Sequence, residues 1–302
     1  MLSAATLETM RDIFSPECIQ LNAPLKDMTS FRVGGPAACL IEVESEEQLS
    51  KAFRVLHLVD CPFYVMGNGS NTLVRDAGFD GVVLHIGKQM QEMSVNGTQI
   101  TVQAGAMLSS VAQFAAKEGL TGLEFAAGIP GSIGGAIAMN AGAYDGEMKQ
   151  VVHGVHVINS EGELFELSNA DMEFDYRTSI VRKRPMIVTE VTFELKEGCP
   201  EEIFEKMKTF NERRREKQPL EFPSAGSTFK RPEGHYAGQL IMEAGMRGFQ
   251  IGGARVSDKH CGFVVNTGNA TAADVLDVID EVRERVKMRF AIELEPEVVI
   301  LD

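Results

Sequence analysis

Apolar residues recur at helical spacing in several parts of the chain. Ser45 is a residue type that caps helices, and Leu49, Ala52, Phe53 and Leu56 follow it on one helical face. This pattern predicts a helix that starts at Ser45. The same spacing predicts further helices at 108–117 before Gly119, at 201–217 with Ile203, Met207 and Phe210 buried, and after the cap Thr271 with Val275, Val278, Ile279, Val282 and Val286 buried.

Short apolar runs between these helices predict strands. They lie at 38–44, 63–66, 82–86, 151–159, 162–168 and 186–195. Because helices and short strands are mixed and no internal repeat is present, the predicted fold class is α+β. Long helical patterns dominate after about residue 196, and we therefore place a domain boundary there.

The segment EFAAGIPGSIGGAIAMNAGAY (124–144) is unusual in this chain, because 20 consecutive uncharged residues follow Glu124. Its length is about that of a membrane span, but five glycines, Pro130, Ser132 and Asn140 leave too few large apolar side chains for one. A flexible linker is also disfavoured, because it would expose several isoleucines to water. Two interpretations remain open, namely a backbone that approaches an anion closely and a Gly/Ala seam between packed elements.

A second glycine-rich turn, at 67–71, follows the predicted strand at 63–66. Its sequence GNGSN is rich in hydrogen-bond donors, but Thr72 stands where the dinucleotide fingerprint G-x-G-x-x-G requires its last glycine. No G-x-x-x-x-G-K-[ST] sequence is present either. Two common nucleotide-binding motifs are thus excluded, and the turn by itself indicates little more than turn chemistry.

Net charge, the N-terminal sequence and the cysteines disfavour several classes of function and location. The chain of 302 residues has a net charge of −14, which disfavours binding to nucleic acid or anionic membranes. The N-terminal sequence has no basic region followed by an apolar core, so we predict no signal peptide. Five scattered cysteines without a C-x-x-C pair are typical of reduced thiols in the cytoplasm, and we predict no metal site.

Three polar residues stand in apolar or glycine-rich surroundings and are candidates for chemistry. Arg177 lies in FDYRTSI, Ser227 follows Gly226 in PSAGSTFK, and Glu297 precedes an apolar terminal strand in LEPEVVILD. An inward-facing carboxylate there would have to be paired or to have a shifted pKa. Taken singly, each residue is better explained by an ordinary structural role: a surface ion pair for Arg177, a turn for Ser227 and an edge strand for Glu297.

Seven motifs, taken together and in order, resemble the UDP-N-acetylenolpyruvoylglucosamine reductases, flavoenzymes of peptidoglycan precursor synthesis. The resemblance covers almost the whole chain. The motifs are TSFRVGGPA (29–37), GNGSNTLV (67–74), EFAAGIPGSIGGAIAMNAGAY (124–144), YRTS (176–179), RRREKQPLEFPSAGSTFKRP (213–232), AGQLIMEAGMRGFQIGGARVSDKH (237–260) and EPEVVIL (295–301). The glycine stretches are typical of the wider class with this FAD domain, whereas SAGSTFK and EPEV are typical of the reductases.

The resemblance implies a two-lobed FAD-binding domain of the PCMH/vanillyl-alcohol-oxidase type at residues 1–196. Its core would cover about 30–196, with the lobes divided near 86. A smaller α+β substrate-binding domain would follow at 197–302, and its strand at 292–302 would return towards the flavin site. The absence of a long insertion after YRTSI implies the shorter of the two family subtypes.

The resemblance also implies FAD as the bound cofactor, NADPH as the co-substrate and a UDP-sugar as the substrate of a cytoplasmic monomer. Its pattern places catalytic roles on Arg177, Ser227 and Glu297. The implied cofactor loops contain Gly67, Asn68, Gly69, Ser70 and Asn71, and Ala127, Gly128, Ile129, Pro130, Gly131, Ser132 and Ile133. Cations expected at the diphosphate of the sugar are Arg214, Lys217, Lys230 and Lys259.

The chain departs from the family pattern in two places. Arg231 stands in FKRP where the family commonly has asparagine, and HCGFVVN replaces HANFIVN. Both differences lie away from the three catalytic positions and therefore concern substrate contacts and loop packing. Two alternative functions stay open: another FAD-dependent oxidoreductase for a sugar or lactone on the same fold, or a non-catalytic module that binds a nucleotide sugar or flavin.

Overall fold

The computed structural model describes residues 2–302 and has an α+β fold. The helices are α1 (Ala4–Ile13), α2 (Glu46–Leu58), α3 (Leu108–Lys117), α4 (Ile133–Ala138), α5 (Pro200–Lys217), α6 (Ala237–Glu243) and α7 (Ala272–Phe290). The strands are β1 (Ile19–Pro24), β2 (Pro36–Glu42), β3 (Phe63–Met66), β4 (Thr72–Val74), β5 (Phe79–His85), β6 (Met93–Asn96), β7 (Gln99–Gln103), β8 (Leu120–Thr121), β9 (Gly142–Ala143), β10 (Gly146–Glu147), β11 (Val152–Asn159), β12 (Leu164–Ser168), β13 (Met186–Glu194), β14 (Lys196–Glu197), β15 (Gln250–Ile251), β16 (Ala254–Val256), β17 (Val264–Asn266) and β18 (Val299–Leu301).

The predicted helix caps are confirmed. The Ser45 side chain accepts a hydrogen bond from the Gln48 N–H at the start of α2. At the start of α7, Thr271 and Asp274 form a reciprocal capping box. Helix α3 ends before Gly119, which adopts a left-handed conformation with φ of 70°.

The strands form several small sheets. One has the order β1-β2-β5-β3, and a five-stranded antiparallel sheet has the order β12-β11-β13-β7-β6. Strands β15, β16 and β17 form an antiparallel meander. The terminal strand β18 pairs in parallel with β4, with Ile300 opposite Leu73.

The chain is divided into two compact units. Unit 1 contains residues up to Leu21, Cys39–Asn68 and Gly81–Arg213, and unit 2 contains Asn22–Ala38, Gly69–Asp80 and Arg214–Asp302. This structural division is discontinuous, whereas the division expected from the sequence is a single cut at 196. The functional boundary near 196 stays a prediction, because compactness does not test which residues hold cofactor or substrate.

Each unit has its own apolar core. The core of unit 1 includes Phe53 from α2, Val111 from α3 and Phe193 from β13, whereas that of unit 2 includes Val278 and Val282 from α7. The predicted buried face of α7 is therefore confirmed. On α5, Ile203 and Met207 are buried and Phe210 is partly buried, as predicted.

None of the helices in residues 2–302 combines the length and apolar character needed to cross a bilayer. The uncharged segment at 124–144 instead contains the short helix α4 and strand β9, separated by turns. All five cysteines are free thiols, and four of them are buried; Cys199 is exposed.

Candidate active site

The first part of the glycine-rich turn lies against the second predicted cofactor loop within unit 1. A Cβ atom on Gly67 would lie 2.0 Å from the Ser132 hydroxyl oxygen, so a side chain at residue 67 would force the Ser132 side chain to move. The Asn68 side-chain amide also donates a hydrogen bond to the Pro130 carbonyl. The two segments that resemble the family's cofactor loops are therefore brought together at these residues.

The loop at 127–133 is held by backbone hydrogen bonds to the start of α3. The Leu108 N–H donates to the Gly131 carbonyl at 2.9 Å, and the Ile133 N–H donates to the Ala106 carbonyl at 2.9 Å. By contrast, the N–H groups of Gly128, Gly131 and Ser132 donate to no acceptor within residues 2–302. A rigid loop with such uncommitted donors can bind an anion without a lysine or arginine.

Other glycines of the uncharged segment pack tightly against protein atoms. A Cβ on Gly134 would lie 3.2 Å from the Ala104 Cβ, and one on Gly142 would lie 2.6 Å from the Gly146 carbonyl oxygen. Just beyond the segment, a Cβ on Gly146 would meet the Phe125 ring at 2.5 Å. The packing interpretation is therefore confirmed for these glycines, whereas the close approach of the loop at 127–133 to an anion stays a prediction.

Glu124, at the start of the segment, is a buried carboxylate with its hydrogen bonds satisfied. It accepts bonds from the Thr121 hydroxyl at 2.5 Å and from the Gly122 N–H at 2.9 Å, and its Oε1 lies 3.4 Å from the Lys206 Nζ. Burial alone would raise the pKa of Glu124, but these bonds and the Lys206 charge outweigh it and lower the pKa. The ionised carboxylate therefore fixes the turn that precedes the predicted cofactor loop.

Arg177 lies at the tip of a tight turn in unit 1. Asp175 and Thr178 exchange both backbone hydrogen bonds across the turn, at 3.1 and 3.2 Å. Arg177 has φ of 56°, a left-handed conformation that costs about 1–2 kcal/mol for a residue with a long side chain. Strain of this kind persists where surrounding contacts impose it, and such positions are concentrated at functional sites.

Hydrogen bonds connect this turn to the end of the uncharged segment. The Arg177 Nη2 donates to the Gly142 carbonyl at 3.2 Å, and the Ser179 hydroxyl donates to the Ala138 carbonyl at 3.1 Å. Arg182 reaches back from the other side, where its Nη1 donates to the Arg177 carbonyl at 3.3 Å. The position of Arg177 is therefore set by the same segment that contains the predicted cofactor loop.

Asn140 is the centre of this connection and is only 1% exposed. Its side-chain nitrogen donates to the Glu147 carboxylate and to the Asp175 carbonyl, both at 3.1 Å. Its side-chain oxygen accepts from the Lys149 N–H at 3.0 Å. One amide side chain thus connects the uncharged segment, the β10 hairpin and the Arg177 turn.

The second part of the glycine-rich turn lies in unit 2, next to the terminal strand. The Val299 N–H donates to the Asn71 carbonyl at 2.9 Å, and the Asn71 side-chain amide donates to the Glu297 carbonyl at 3.1 Å. These bonds continue the parallel pairing of β4 with β18. Glu297 is therefore a close neighbour of a predicted cofactor-loop residue.

Ser227 lies beside Glu297 in the same unit. The Glu297 N–H donates to the Thr228 carbonyl at 2.8 Å, and the Lys230 N–H donates to the Glu295 carbonyl at 2.9 Å. The Ser227 side chain is exposed, and it follows Gly226, which has φ of 76°. Two of the three candidate catalytic residues are thus held on adjacent backbone segments, whereas Arg177 belongs to unit 1.

Gly262 lies close to both the His260 ring and the Ser227 hydroxyl. A Cβ on Gly262 would lie 3.0 Å from the His260 ring and 3.6 Å from the Ser227 Oγ. The Gly262 N–H donates to the His260 Nδ1 at 3.1 Å, so that nitrogen carries no proton. Burial, together with the Lys217 charge, lowers the pKa of His260, which keeps the ring neutral at neutral pH.

The four predicted substrate cations have different surroundings within unit 2. Arg214 and Lys217 lie in the last turn of α5. Lys259 donates to the Arg215 carbonyl at 2.5 Å, and its Nζ lies 4.0 Å from the Glu221 carboxylate. Lys230 forms an ion pair with Glu295, so its charge is already partly compensated.

Comparison with known proteins gives relatives that cover nearly the whole chain. A UDP-N-acetylenolpyruvoylglucosamine reductase of Lachnoclostridium phytofermentans is 47% identical over 299 residues, which are 98% of this chain and 96% of the relative. One from Clostridioides difficile is 48% identical over 96% of this chain and 95% of the relative. The chain belongs to the UDP-N-acetylenolpyruvoylglucosamine reductase family. The resemblance inferred from the seven motifs is thereby confirmed.

Family models and a solved structure agree with this membership. The C-terminal domain of UDP-N-acetylenolpyruvoylglucosamine reductases matches residues 218–301, and an FAD-binding domain matches 37–168. The crystal structure of the reductase from Thermus caldophilus has a TM-score of 0.81 and 37% identity, and the match covers 94% of this chain and 98% of that one. FAD is the cofactor of this family member, and the predicted fold class is confirmed.

A more distant structure shows the same fold. A glucose oxidase variant of Phl p 4 has a TM-score of 0.51 at 15% identity, and the match covers 65% of this chain and 44% of that one. At this identity the likeness concerns the fold alone.

Several residues that organise the site in this reductase-family chain were not singled out from the sequence. Asn140 and Ser179 lie inside the quoted motifs, and their local sequence carries no separate signal for a hydrogen-bond centre. Glu124 had one usable signal, because it is the last charge before the 20 uncharged residues. His260 directly follows the predicted cation Lys259, but only the fold shows that its ring and the Ser227 hydroxyl both lie next to Gly262.

Proposed function

We propose that this chain reduces the enolpyruvyl ether of UDP-N-acetylglucosamine to UDP-N-acetylmuramate, a step of peptidoglycan precursor synthesis. NADPH supplies a hydride and solvent supplies a proton, so the carbon–carbon double bond becomes a single bond and NADP⁺ is released. The observation that carries this proposal is the 47–48% identity to reductases over nearly the whole chain. Arg177, Ser227 and Glu297 all lie in motifs of that resemblance.

The described residues fit FAD at the predicted loops. The backbone at Gly67 lies too close to the Ser132 side chain for a side chain of its own. In the loop at 127–133, the N–H groups of Gly128, Gly131 and Ser132 donate to no acceptor within residues 2–302. When bound, FAD supplies the hydride-carrying centre that links NADPH to the sugar. We assign Gly67–Asn71 and Ala127–Ile133 to the FAD pyrophosphate and neighbouring groups.

Arg177 is assigned to the carboxylate of the substrate. Hydride addition at the terminal carbon of an unsaturated acid moves negative charge into that carboxylate, which becomes enolate-like. A fixed guanidinium stabilises this charge more strongly in the transition state than in the ground state. The strained turn, the bond to the Gly142 carbonyl and the bond from Arg182 support this role, because they fix the arginine before substrate arrives.

Ser227 is assigned as the general acid that protonates the carbon next to the carboxylate. Its hydroxyl is exposed, and the adjacent backbone is fixed to the strand that contains Glu297. Glu297 is assigned to orient the reacting groups or to assist Arg177. A positioned proton donor typically contributes a factor of about 10²–10⁴ to the rate.

The remaining assignments extend this function to the whole chain. We assign 1–196 to the cofactor and 197–302 to the UDP-sugar, with Arg214, Lys217, Lys230 and Lys259 near the diphosphate. NADPH and the UDP-sugar are the proposed partners, and the chain is proposed to act as a monomer in the cytoplasm.

Ser227→Ala tests the proposal through its two half-reactions. We expect FAD reduction by NADPH to stay nearly unchanged, because it needs no proton from this hydroxyl. Transfer to the enolpyruvyl sugar should slow by a factor of about 10² or more. Stopped-flow absorbance of the flavin measures both steps, and Ser94→Ala on the exposed strand β6 is the control.

Equal slowing of both half-reactions by Ser227→Ala would refute the role of Ser227 as general acid. If the unaltered chain does not reoxidise with the enolpyruvyl sugar, the substrate itself is wrong. Reoxidation by another sugar or lactone would then favour a different oxidoreductase of the same fold.

A further inference from the structure

Thr29 contains a buried hydroxyl without a hydrogen-bond partner. The residue is 6% exposed, and its Oγ1 makes no hydrogen bond within residues 2–302. A hydroxyl is readily satisfied because it both donates and accepts, so one left alone in a protein interior is unusual. Gln218 and Arg255 also have an unsatisfied buried atom, and Thr29 is the one that lies next to Gly69 of a predicted cofactor loop in the observed contacts.

The contact between Thr29 and that loop is close. Gly69 has φ of 57°, and a Cβ on it would lie 2.1 Å from the Met28 carbonyl oxygen and 3.0 Å from the Thr29 Cα. The backbone of residues 28 and 29 is therefore in contact with the turn at 67–71. Thr29, Met28 and Gly69 all belong to unit 2, so this contact is internal to one unit.

The neighbouring hydroxyl of Ser30 shows what a structural role would look like here. The Ser30 N–H donates to the Gly69 carbonyl at 3.2 Å, and its hydroxyl lies 2.7 Å from the Ser224 carbonyl and 3.3 Å from the Ser70 carbonyl. Ser30 thus stabilises the turn at 67–71 through its own hydrogen bonds. The adjacent Thr29 hydroxyl makes no such bond within residues 2–302, although Thr29 is buried.

We propose that the Thr29 hydroxyl donates a hydrogen bond to an acceptor oxygen of FAD. The burial of an unpaired hydroxyl lowers the stability of the flavin-free chain, and a bound acceptor removes that cost. FAD carries such oxygens on its pyrophosphate and ribityl chain, which are the groups assigned to the turn at 67–71. The inference therefore rests on the cofactor loops assigned under the proposed function.

Thr29→Val tests this role because valine keeps the shape and removes the hydroxyl. We expect the dissociation constant of FAD for the flavin-free full-length chain to rise about tenfold. We also expect the melting temperature of that flavin-free chain to stay equal or to rise, because an unsatisfied polar group is removed. Thr29→Ser, which keeps the hydroxyl, should restore FAD affinity.

Thr189→Val is the matched control. Thr189 is also buried, at 1% exposure, but its hydroxyl donates to the His156 carbonyl at 3.4 Å. This variant should lower the melting temperature and leave the FAD dissociation constant unchanged. Flavin fluorescence titration and thermal unfolding measure the two quantities separately.

Two results would overturn the inference. One is an unchanged FAD dissociation constant in Thr29→Val, and the other is a lowered melting temperature of its flavin-free chain, which would indicate a purely structural hydroxyl. If the unaltered chain itself fails to bind FAD, the assignment of the cofactor loops fails and this inference fails with it. If the unaltered chain binds FAD and Thr29→Val binds it equally well, only this inference fails and the proposed function stands.

Discussion

Replacing Asn140 tests how strongly the uncharged segment is connected to the Arg177 turn. Asn140→Ala removes three hydrogen bonds at a site that is 1% exposed, and it leaves the Lys149 N–H without its partner. It also places an alanine at φ of 42°, where asparagine is tolerated better. Each bond contributes about 1 kcal/mol, with more for the one to the Glu147 carboxylate, so we expect a total loss of about 4 kcal/mol in the free energy of unfolding.

Asn140→Gly separates the two contributions. Glycine accepts the left-handed backbone without strain but also lacks the side-chain amide. We therefore expect this variant to be about 1 kcal/mol more stable than Asn140→Ala, with both well below the unaltered chain. Urea unfolding of the flavin-loaded chain, followed by circular dichroism, measures these differences.

The same variants report on catalysis. Because Asn140 bonds to the turn that presents Arg177, Asn140→Gly should slow the sugar half-reaction more than flavin reduction by NADPH. A decrease of less than about 1 kcal/mol in the free energy of unfolding of Asn140→Ala would contradict the stability argument, since the loss of three buried hydrogen bonds should destabilise the fold by more than this. Equal effects on both half-reactions would indicate that Asn140 serves packing alone.

Asp76 and His260 each give a prediction about the direction of a change in stability. The Asp76 carboxylate accepts hydrogen bonds from the N–H groups of Ala272 and Ala273, both at 2.9 Å, at the start of α7. Asp76→Ala should therefore lower the free energy of unfolding, measured by urea unfolding, by about 1–2 kcal/mol, whereas Asp80→Ala at an exposed position should change it by less than about 0.5 kcal/mol. Equal effects of the two variants would refute the capping role of Asp76. For His260, burial lowers the pKa below the ordinary 6.5, so below that pH the unfolded state binds more protons and stability falls. His260→Gln should therefore lose less stability than the unaltered chain when the pH is lowered from about 7.5 to about 5.5, and equal losses would refute the shift.

Much of the secondary structure followed from local pattern. The helices that begin after Ser45 and Thr271 were predictable because each has a capping residue followed by a regular apolar face. What local pattern could not give is the discontinuous division into units. The segments 22–38 and 69–80 belong to unit 2 through backbone pairing such as β4 with β18, and parallel pairing between distant segments leaves no local signal.

The candidate site shows the same limit more sharply. The residue types of Ser227 and Glu297 suggested chemistry, but their adjacency depends on backbone pairing between residues 228–230 and 295–297, which are far apart in the sequence. Arg177 was recognised by motif, whereas its left-handed turn was not predictable, since nothing in YRTS requires φ of 56°. Thr29 begins the motif TSFRVGGPA, but nothing in that motif indicates a role for its hydroxyl, because an unsatisfied buried hydroxyl is recognised only in the folded structure.

The absence of charge between Glu124 and Asp145 has a physical reason in this arrangement. A lysine side chain loses up to about 2 kcal/mol of conformational entropy when it is fixed on an anion. The N–H groups of Gly128, Gly131 and Ser132, by contrast, lie on a backbone already held by the Leu108 and Ile133 bonds. The chain carries a net charge of −14, so a lysine in this loop would also be attracted to carboxylates such as Glu124. Beyond the loop, the same segment provides Asn140 and the Gly142 carbonyl to the Arg177 turn. An uncharged, glycine-rich backbone therefore meets two requirements of the proposed site that a charged loop would not meet together: donors for a phosphate group and a hydrogen-bonded connection to Arg177, the proposed catalytic arginine.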